Sequence, residues 1–402
     1  MRLPSEAYPI AQETGARCSR LTTRQAEGLA WWVYGATLAG SACQSAVVTA
    51  LEPVVGAGHT AAVRQRLREW LYAGADKLAP CHAEIDVHAC FAPLLGWVLD
   101  WWDTAVLPLA VDATALGDRV VLLSVSVLYR GSAIPVAWEA LVANRPGAWV
   151  EPITDLLATL APAVPPEICV LVLADRGLWS PRLWDALRRL RWHPLLRIRQ
   201  DAIFQPTGRP QVRATSLVPA PGDAWVGTGI AFQKGIKRRP ATLVAYWEAD
   251  FDAPCLALTD LDPDAVGIVW YGLRSWIEAG FKALKSIGWH WERTQRTDPA
   301  RVARHWLVLA VATLWVLATG TRVEDAEHLG RAPANLRTPP PPLTAPLDRT
   351  ISVFARGLVR LRWQLLRARR LWSRIWLRPE PLPPTPPRVT LRVARGPTPL
   401  HF

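Results

Sequence analysis

Short apolar runs bounded by turn residues predict strands through the middle of this chain. The predicted strands cover residues 106–111, 120–128, 133–138, 168–174 and 194–199. The residues that follow position 128 are typical of a tight turn between the second and third strands. A helical pattern over 181–190 separates the last two strands. The pattern therefore predicts an α/β core.

The residues before this core have helical patterns. Thr22 and Gln25 have the spacing of a capping box before a helix at 26–34. Residues 41–51 and 61–72 predict two further helices around a glycine break. This pair has two interpretations, a DNA-binding helix-turn-helix or plain helical packing.

The last part of the chain is rich in proline and arginine. Proline-rich stretches at 339–342 and 379–387 surround a predicted basic amphipathic helix at 351–377. Such a helix is compatible with a membrane surface, a calmodulin-like partner or a phosphate backbone. The formal net charge is +12, and residues 331–402 contain 14 Arg against two acids, so the whole surplus lies there. If the partner is a phosphate backbone, loss of this segment is expected to weaken binding and to flatten its salt dependence.

Two aspartates come directly after predicted strands. Asp112 follows the first strand and Asp175 follows the fourth. Carboxylates at the carboxyl ends of neighbouring strands project from one sheet edge, where open α/β sheets usually bind ligands. Either aspartate alone is more often a cap or a turn residue, so a third carboxylate is needed to indicate a site.

The third carboxylate is Glu278, on a segment with an unusual polar face. On a single helix, Tyr271, Arg274, Glu278, Lys282 and Lys285 fall within a sector of roughly 80°. An acid among cationic and phenolic donors suits phosphate binding beside a metal ion, whereas a solvated face is the alternative. Three carboxylates supply the hard oxygen ligands that Mg²⁺ or Mn²⁺ prefers.

The spacing in this segment resembles a known signature. Two residues separate Tyr271 from Arg274, three separate Arg274 from Glu278, and six separate Glu278 from Lys285. This spacing is similar to the YREK signature of DDE transposases of the insertion-sequence-four family, which have an RNase H-like catalytic core. The resemblance extends over residues 100–320.

The resemblance implies a role for each matching residue. Asp112, Asp175 and Glu278 would be catalytic and would hold two Mg²⁺ or Mn²⁺ ions per active site. The implied DNA-binding residues are Tyr271, Arg274, Lys282, Lys285, Arg301 and Arg304. The implied reaction is hydrolysis at transposon ends, followed by attack of the freed 3′-hydroxyl on target DNA.

The implied partners are double-stranded DNA and a second copy of the chain. The DNA would comprise terminal inverted repeats and a target, bound by a homodimer. Some relatives hold a flipped base on a tryptophan, for which Trp270 and Trp289 are candidates, with core packing as the alternative. Two other functions stay open: an RNase H-like nuclease without strand transfer, and a domesticated or inactive DNA-binding protein. No phosphate-binding Walker loop is present, so ATP use is not indicated.

The predicted fold class is α/β, with an RNase H-like mixed sheet flanked by helices and a β-rich insertion at 203–265. The predicted domains are a helical N-terminal region at 1–98, the catalytic core at 99–325 and a basic C-terminal arm at 326–402. Strands are expected in the insertion at 224–233 and 241–248.

Cysteine usage and hydropathy bear on location. Six scattered cysteines predict reduced thiols in a cytoplasmic protein. Cys81, His82, His88 and Cys90 are residue types that bind zinc. Cys81 and His82 are adjacent, however, which is an awkward geometry for two ligands of one ion, and no standard zinc spacing fits. The apolar run at 307–318 is shorter than the ~20 residues of a membrane span. It therefore predicts a core helix, and no membrane partner is expected.

Overall fold

One mixed sheet of ten strands forms the centre of the part of the protein that the structure describes. The computed structural model describes residues 2–77, 83–144, 149–232, 235–369, 371–372 and 376–384, so Cys81 and His82 lie outside it. The strands are β1 (Val106–Leu116), β2 (Val120–Tyr129), β3 (Ser132–Val142), β4 (Cys169–Ala174), β5 (His193–Arg197), β6 (Ile203–Pro206), β7 (Val212–Arg213), β8 (Ala224–Ala231), β9 (Arg239–Tyr246) and β10 (Cys255–Thr259). Their order across the sheet is β3-β2-β1-β4-β5-β10-β9-β8-β6-β7.

The first five strands have the arrangement of an RNase H-like core. β2 is antiparallel to both β1 and β3, whereas β1, β4 and β5 are mutually parallel. The predicted α/β class with a mixed sheet flanked by helices is thereby confirmed. The strands of the predicted insertion continue the same sheet, because β10 pairs antiparallel with β5.

Helices precede the sheet, cover it and follow it. They are α1 (Tyr8–Arg17), α2 (Thr23–Ala39), α3 (Gln44–Val55), α4 (Thr60–Trp70), α5 (Phe91–Leu99), α6 (Val150–Leu160), α7 (Pro181–Arg189), α8 (Ser275–Lys282), α9 (Pro299–His328) and α10 (Val353–Leu366). The predicted capping box is confirmed at α2, where Thr22 accepts from the Gln25 amide and Gln25 accepts from the Thr22 amide. The five described cysteines are free thiols.

The turn between β2 and β3 is tight, as predicted, and carries a buried charge. Arg130 and Gly131 have φ values of 47° and 75°, as a two-residue type I′ turn requires. The Arg130 guanidinium is buried and donates to Glu324 at 2.7 Å and to Asp325 at 3.0 Å. Because both acids lie near the end of α9, this ion pair fixes the hairpin to that helix.

The longest helix, α9, runs through the protein interior. It has 30 residues and is long and apolar enough to cross a membrane by length and composition, and 94% of its most apolar window is buried. The bent pair α2 and α3 passes the same test only if both helices are taken together. The apolar run at 307–318 was predicted to be too short for a membrane span. That prediction was wrong for the helix as a whole, because α9 extends beyond the run at both ends. Its burial agrees with the predicted core helix.

The C-terminal helix is shorter than predicted and is packed on the core. α10 ends at Leu366 instead of residue 377, because Ala368 takes the left-handed conformation with φ 49° and the Arg369 amide turns back to the Gln364 carbonyl. Gly357 and Gly320 lie at the crossing of α10 with α9. The segment is therefore an integral part of the fold here, and its deletion would uncover α9.

The close approach of α10 and α9 gives a prediction about stability. A Cβ atom at Gly357 would overlap the Val316 carbonyl oxygen, whereas one at Gly96 in α5 would meet nothing within 4 Å. We expect Gly357→Ala to lower the free energy of unfolding by about 1–3 kcal/mol through overpacking. The matched Gly96→Ala change should instead raise it by up to about 1 kcal/mol. Urea denaturation measures both, and equal effects would contradict the close helix crossing.

Candidate active site

Strand register brings the two predicted aspartates together. β1 and β4 are parallel, and their last paired residues are Val111 and Ala174. Asp112 and Asp175 are the next residue on each strand, so both leave the sheet at the same edge. Asp112 does not end its strand as predicted, because β1 continues to Leu116 by pairing with β2. The two side chains are nevertheless neighbours.

The third carboxylate joins them through an arginine. The guanidinium of Arg274 donates to Asp112 Oδ2 at 2.7 Å and to Glu278 Oε1 at 2.6 Å, and lies 3.9 Å from Asp175 Oδ2. Its side chain is only 12% exposed, whereas those of Asp112, Asp175 and Glu278 are 19%, 36% and 56% exposed. Three acids therefore converge on one largely enclosed cation, although Asp112 and Asp175 are distant from Glu278 in the sequence.

The closeness of the three acids shifts the pKa values of Asp112 and Arg274. Burial raises the pKa of Asp112, and the neighbouring charges of Asp175 and Glu278 raise it further, while Arg274 opposes them. Burial acts to lower the pKa of Arg274, but its acidic neighbours outweigh that effect and raise it. The cluster therefore needs a positive charge at its centre, and Arg274 provides it in this structure.

The segment from residue 268 to residue 287 is not a single α-helix as predicted. A 3₁₀ helix covers Ile268–Arg274, α8 follows, and a π-helix covers Ala283–Ile287. The wider π turn suits a functional site, where such bulges frequently occur. The predicted polar face is only partly formed, because Tyr271 is buried.

Gly280 fixes α8 to the sheet. It lies against Ala133 of β3, and an added Cβ would approach the Ala133 Cβ to 2.8 Å.

Tyr271 points into the protein. It is buried, and its hydroxyl donates to the Ala174 carbonyl at 3.4 Å, directly before Asp175. Burial raises its pKa. Its position supports the end of β4, and the phosphate contact implied by the signature stays a prediction.

Lys282 and Lys285 line a cleft beside two of the acids. This cleft, the lysine cleft, has a volume of about 400 Å³ and is also lined by Asp112 and Glu278. Lys282 is exposed, while Lys285 is half-buried and has its pKa lowered by that burial. An anionic chain in the lysine cleft would lie next to the carboxylates.

The predicted DNA contacts Arg301 and Arg304 have partners inside the protein. Arg304 is buried, donates to the Leu71 carbonyl at 2.8 Å and pairs with Glu84. Arg301 pairs with Asp76 at 3.2 Å and lies over the ring of Tyr72. Both therefore join α9 to the N-terminal region, and their DNA contacts stay predictions.

The two tryptophan candidates are packed against other parts of the chain. Trp289 is fully buried and donates to the Thr313 hydroxyl at 3.0 Å. Trp270 is half-buried and donates to the Pro383 carbonyl at 3.2 Å. Core packing, the alternative interpretation, accounts for both positions.

A second cleft borders the acids on another side and was not predicted. It has a volume of about 400 Å³ and combines Arg274 and Glu278 with Arg197, Tyr246 and Phe251. Arg197 ends β5, which is parallel to β4, so it leaves the sheet at the same edge as Asp175. The sequence did not select Arg197, because the strand was predicted to continue to residue 199. Tyr246 lay inside the predicted strand at 241–248, and Phe251 lay outside every predicted strand.

The donor set suits a hard divalent cation, although no such site is preformed. Among the described residues, no group of three or more His, Cys, Asp or Glu side chains is arranged to hold a metal ion. The acids meet at Arg274 instead. Their oxygen donors are those that Mg²⁺ and Mn²⁺ prefer, and the unfavourable crowding around Asp112 would be relieved by added positive charge.

Comparison with known proteins points to one domain family. Residues 150–315 match the family model of the transposase DDE domain, which is about two fifths of the chain and includes Asp175 and Glu278 but not Asp112. A solved structure, the cryo-EM structure of a piggyBac transposase synaptic complex with hairpin DNA, is similar with a TM-score of 0.43 and 12% identity over 90% of this chain and 77% of that chain. No curated protein matches the sequence. The chain thus contains a region similar to the transposase DDE domain.

Proposed function

We propose that this protein is a DNA transposase of the DDE type. The observation that carries the proposal is the convergence of Asp112, Asp175 and Glu278 on one guanidinium at a single sheet edge. The match to the transposase DDE domain supports it independently. The proposed reaction is cut-and-paste transposition, with phosphodiester hydrolysis at transposon ends and strand transfer by the 3′-hydroxyl. The finer assignment to the insertion-sequence-four family rests on the signature spacing.

Asp112, Asp175 and Glu278 would hold the divalent ions, two Mg²⁺ or Mn²⁺ per site. When bound, such ions supply charge neutralisation for the attacking and leaving oxygens of phosphoryl transfer. Asp112 and Asp175 each accept a backbone amide on Oδ1, from Ala113 at 2.8 Å and Arg176 at 2.7 Å. These bonds fix the direction of the second oxygen of each carboxylate, which faces Arg274.

The cationic side chains would position the DNA strand. Lys282 and Lys285 would bind phosphates along the lysine cleft, with Lys285 nearest the protein interior. Arg274 would move from the carboxylates to a phosphate beside the scissile bond, since its planar fork matches phosphate as well as carboxylate. The DNA substrates would be terminal inverted repeats and a target, bound by a homodimer in the cytoplasm.

A nuclease without strand transfer would share the acids but not the requirement for paired ends. We therefore expect Arg274→Lys and Lys285→Ala to reduce cleavage at paired ends about 10- to 100-fold, because displaced reacting groups lose rates of that order. Non-specific nicking of a generic plasmid should fall much less. The substrate would carry the inverted repeats found in the DNA that flanks the coding region.

Lys237→Ala is the matched control, since Lys237 is exposed and lines neither cleft beside the acids. Equal losses on both substrates would favour the nuclease. No loss on either substrate would mean that Lys285 is an ordinary solvated side chain without a role in cleavage. A chain with intact acids that binds the repeats without cutting them would be a domesticated DNA-binding protein.

A further inference from the structure

Three arginines in and just after α10 have no carboxylate partner among the residues that the structure describes. They are Arg360, Arg367 and Arg369, here called the arginine patch. Glu327 and Glu380 are paired with Arg356 and Arg349, which lie at and before the start of α10. The patch therefore presents uncompensated positive charge at the surface.

The three cations of the patch lie around one indole ring. The guanidinium carbons of Arg360, Arg367 and Arg369 lie 4.6, 4.8 and 5.1 Å from the centroid of the Trp363 ring. Cation–π contacts of this kind attract the charge without using the guanidinium N–H groups. The donors of the exposed Arg367 and Arg369 thus stay available to an external anion, whereas Arg360 is half-buried and its Nε is enclosed.

The packing of α10 decides which face is available. Its apolar side chains, including Val353, Phe354, Leu361 and Leu365, are buried within the protein core. A membrane-surface helix or a calmodulin target would need that apolar face for its partner. The exposed face carries arginines and only two apolar side chains, Val359 and Leu366, which cannot replace the buried apolar face. The phosphate backbone is therefore the favoured partner of the three that the sequence allowed.

We propose that the arginine patch binds the sugar–phosphate backbone of double-stranded DNA without reading its sequence. The choice of DNA as the polyanion rests on the proposed function, but binding at the patch requires neither metal nor cleavage. None of the patch residues lines either cleft beside the acids, so this contact is separate from the catalytic one. Arg side chains fork onto phosphate oxygens, and several on one helix end suit successive phosphates.

Point substitutions test the patch better than truncation, because deleting the C-terminal segment would uncover α9. The test variant is Arg367→Gln with Arg369→Gln, and the matched control is Arg331→Gln with Arg337→Gln. All four side chains are exposed, lie in the same arginine-rich segment, and each pair removes the same charge. Binding to a random-sequence fluorescent duplex is measured by anisotropy over a series of KCl concentrations without divalent metal.

The slope of log affinity against log salt should flatten by about 2 for the patch variant, since each lost phosphate contact removes about 0.9. The control slope should stay close to that of the parent protein. Equal flattening in both variants, or none in the patch variant, would overturn the proposal. So would loss of binding to phosphatidylserine vesicles with DNA binding retained, which would assign the patch to lipid headgroups.

The outcome can be separated from the fate of the proposed function. A patch variant that binds DNA normally and cuts paired ends would overturn DNA binding at the patch and support the transposase function. If the patch variant shows the expected change in slope but the parent protein never cuts DNA, the patch would be supported as a DNA contact and the transposase function would be contradicted. A third variant, Trp363→Leu, should flatten the slope less than the double substitution, because it frees the arginines without removing their charge.

Discussion

Replacing any one of Asp112, Asp175 or Glu278 with its isosteric amide should abolish DNA cleavage and leave DNA binding nearly unchanged. Each amide keeps the shape of the side chain but removes the charge that would hold the ions. Loss of a partner that merely orients a metal ligand typically costs 10–100-fold, so loss of a ligand should cost more than about 100-fold. Cleavage and anisotropy binding assays on the same DNA would measure the two effects separately.

The matched control for these variants is Asp155→Asn, on the exposed face of α6. It makes the same chemical change away from the acids and should leave both activities intact. Thermal unfolding should accompany each assay, because the catalytic variants also remove a partner of Arg274. If Glu278→Gln retained cleavage while Asp112→Asn lost it, Glu278 would not belong to the catalytic set.

The hydrophobic pattern could predict the end of the strand before Asp175, but not that of β1, which continues past Asp112. The run before Asp175 is continuously apolar, as expected for a strand buried on both faces. The parallel pairing of β1 and β4 then makes Asp112 and Asp175 neighbours by register alone. Glu278 could be selected only through its spacing from other residues of the signature.

The roles of the cations depended on tertiary contacts that no periodicity encodes. Arg274 and Arg304 look alike as basic residues on helices, yet one lies among the predicted catalytic acids and the other joins α9 to the N-terminal region. The change from 3₁₀ to α to π geometry also shifts Lys285 relative to Tyr271, which a constant 100° per residue cannot capture. The packing of α10 on α9 could not be predicted either, because it is a tertiary contact that periodicity does not encode.

Removing the central cation should destabilise the metal-free protein and strengthen its response to metal. Arg274→Met keeps most of the aliphatic stem but leaves three carboxylates without their shared counter-charge. Breaking a fully buried ion pair costs about 3–5 kcal/mol, and because Glu278 is 56% exposed we expect a smaller loss, about 1–3 kcal/mol. Arg356→Met, which breaks the exposed pair with Glu327, should cost less than about 1 kcal/mol.

The loss should also depend on pH in a defined direction. The pKa of Asp112 is already raised by burial, and removal of Arg274, which opposes that shift, should raise it further. A carboxyl group with a raised folded-state pKa binds protons more tightly in the folded protein, so stability falls as pH rises from its unfolded value of about 3.9 through the folded one. The destabilisation by Arg274→Met should therefore be larger at about pH 8 than at about pH 5.

Divalent metal should reverse the defect if the guanidinium occupies the place of an ion. Thermal unfolding in a Mn²⁺ series should show a larger rise in Tm for Arg274→Met than for the parent protein, because ligand binding to the folded state stabilises it by mass action and no cation has to be displaced. A smaller rise would mean that Arg274 assists metal binding instead of competing with it. The arginine would then be a permanent part of the metal-bound site, and its proposed movement onto a phosphate would be excluded.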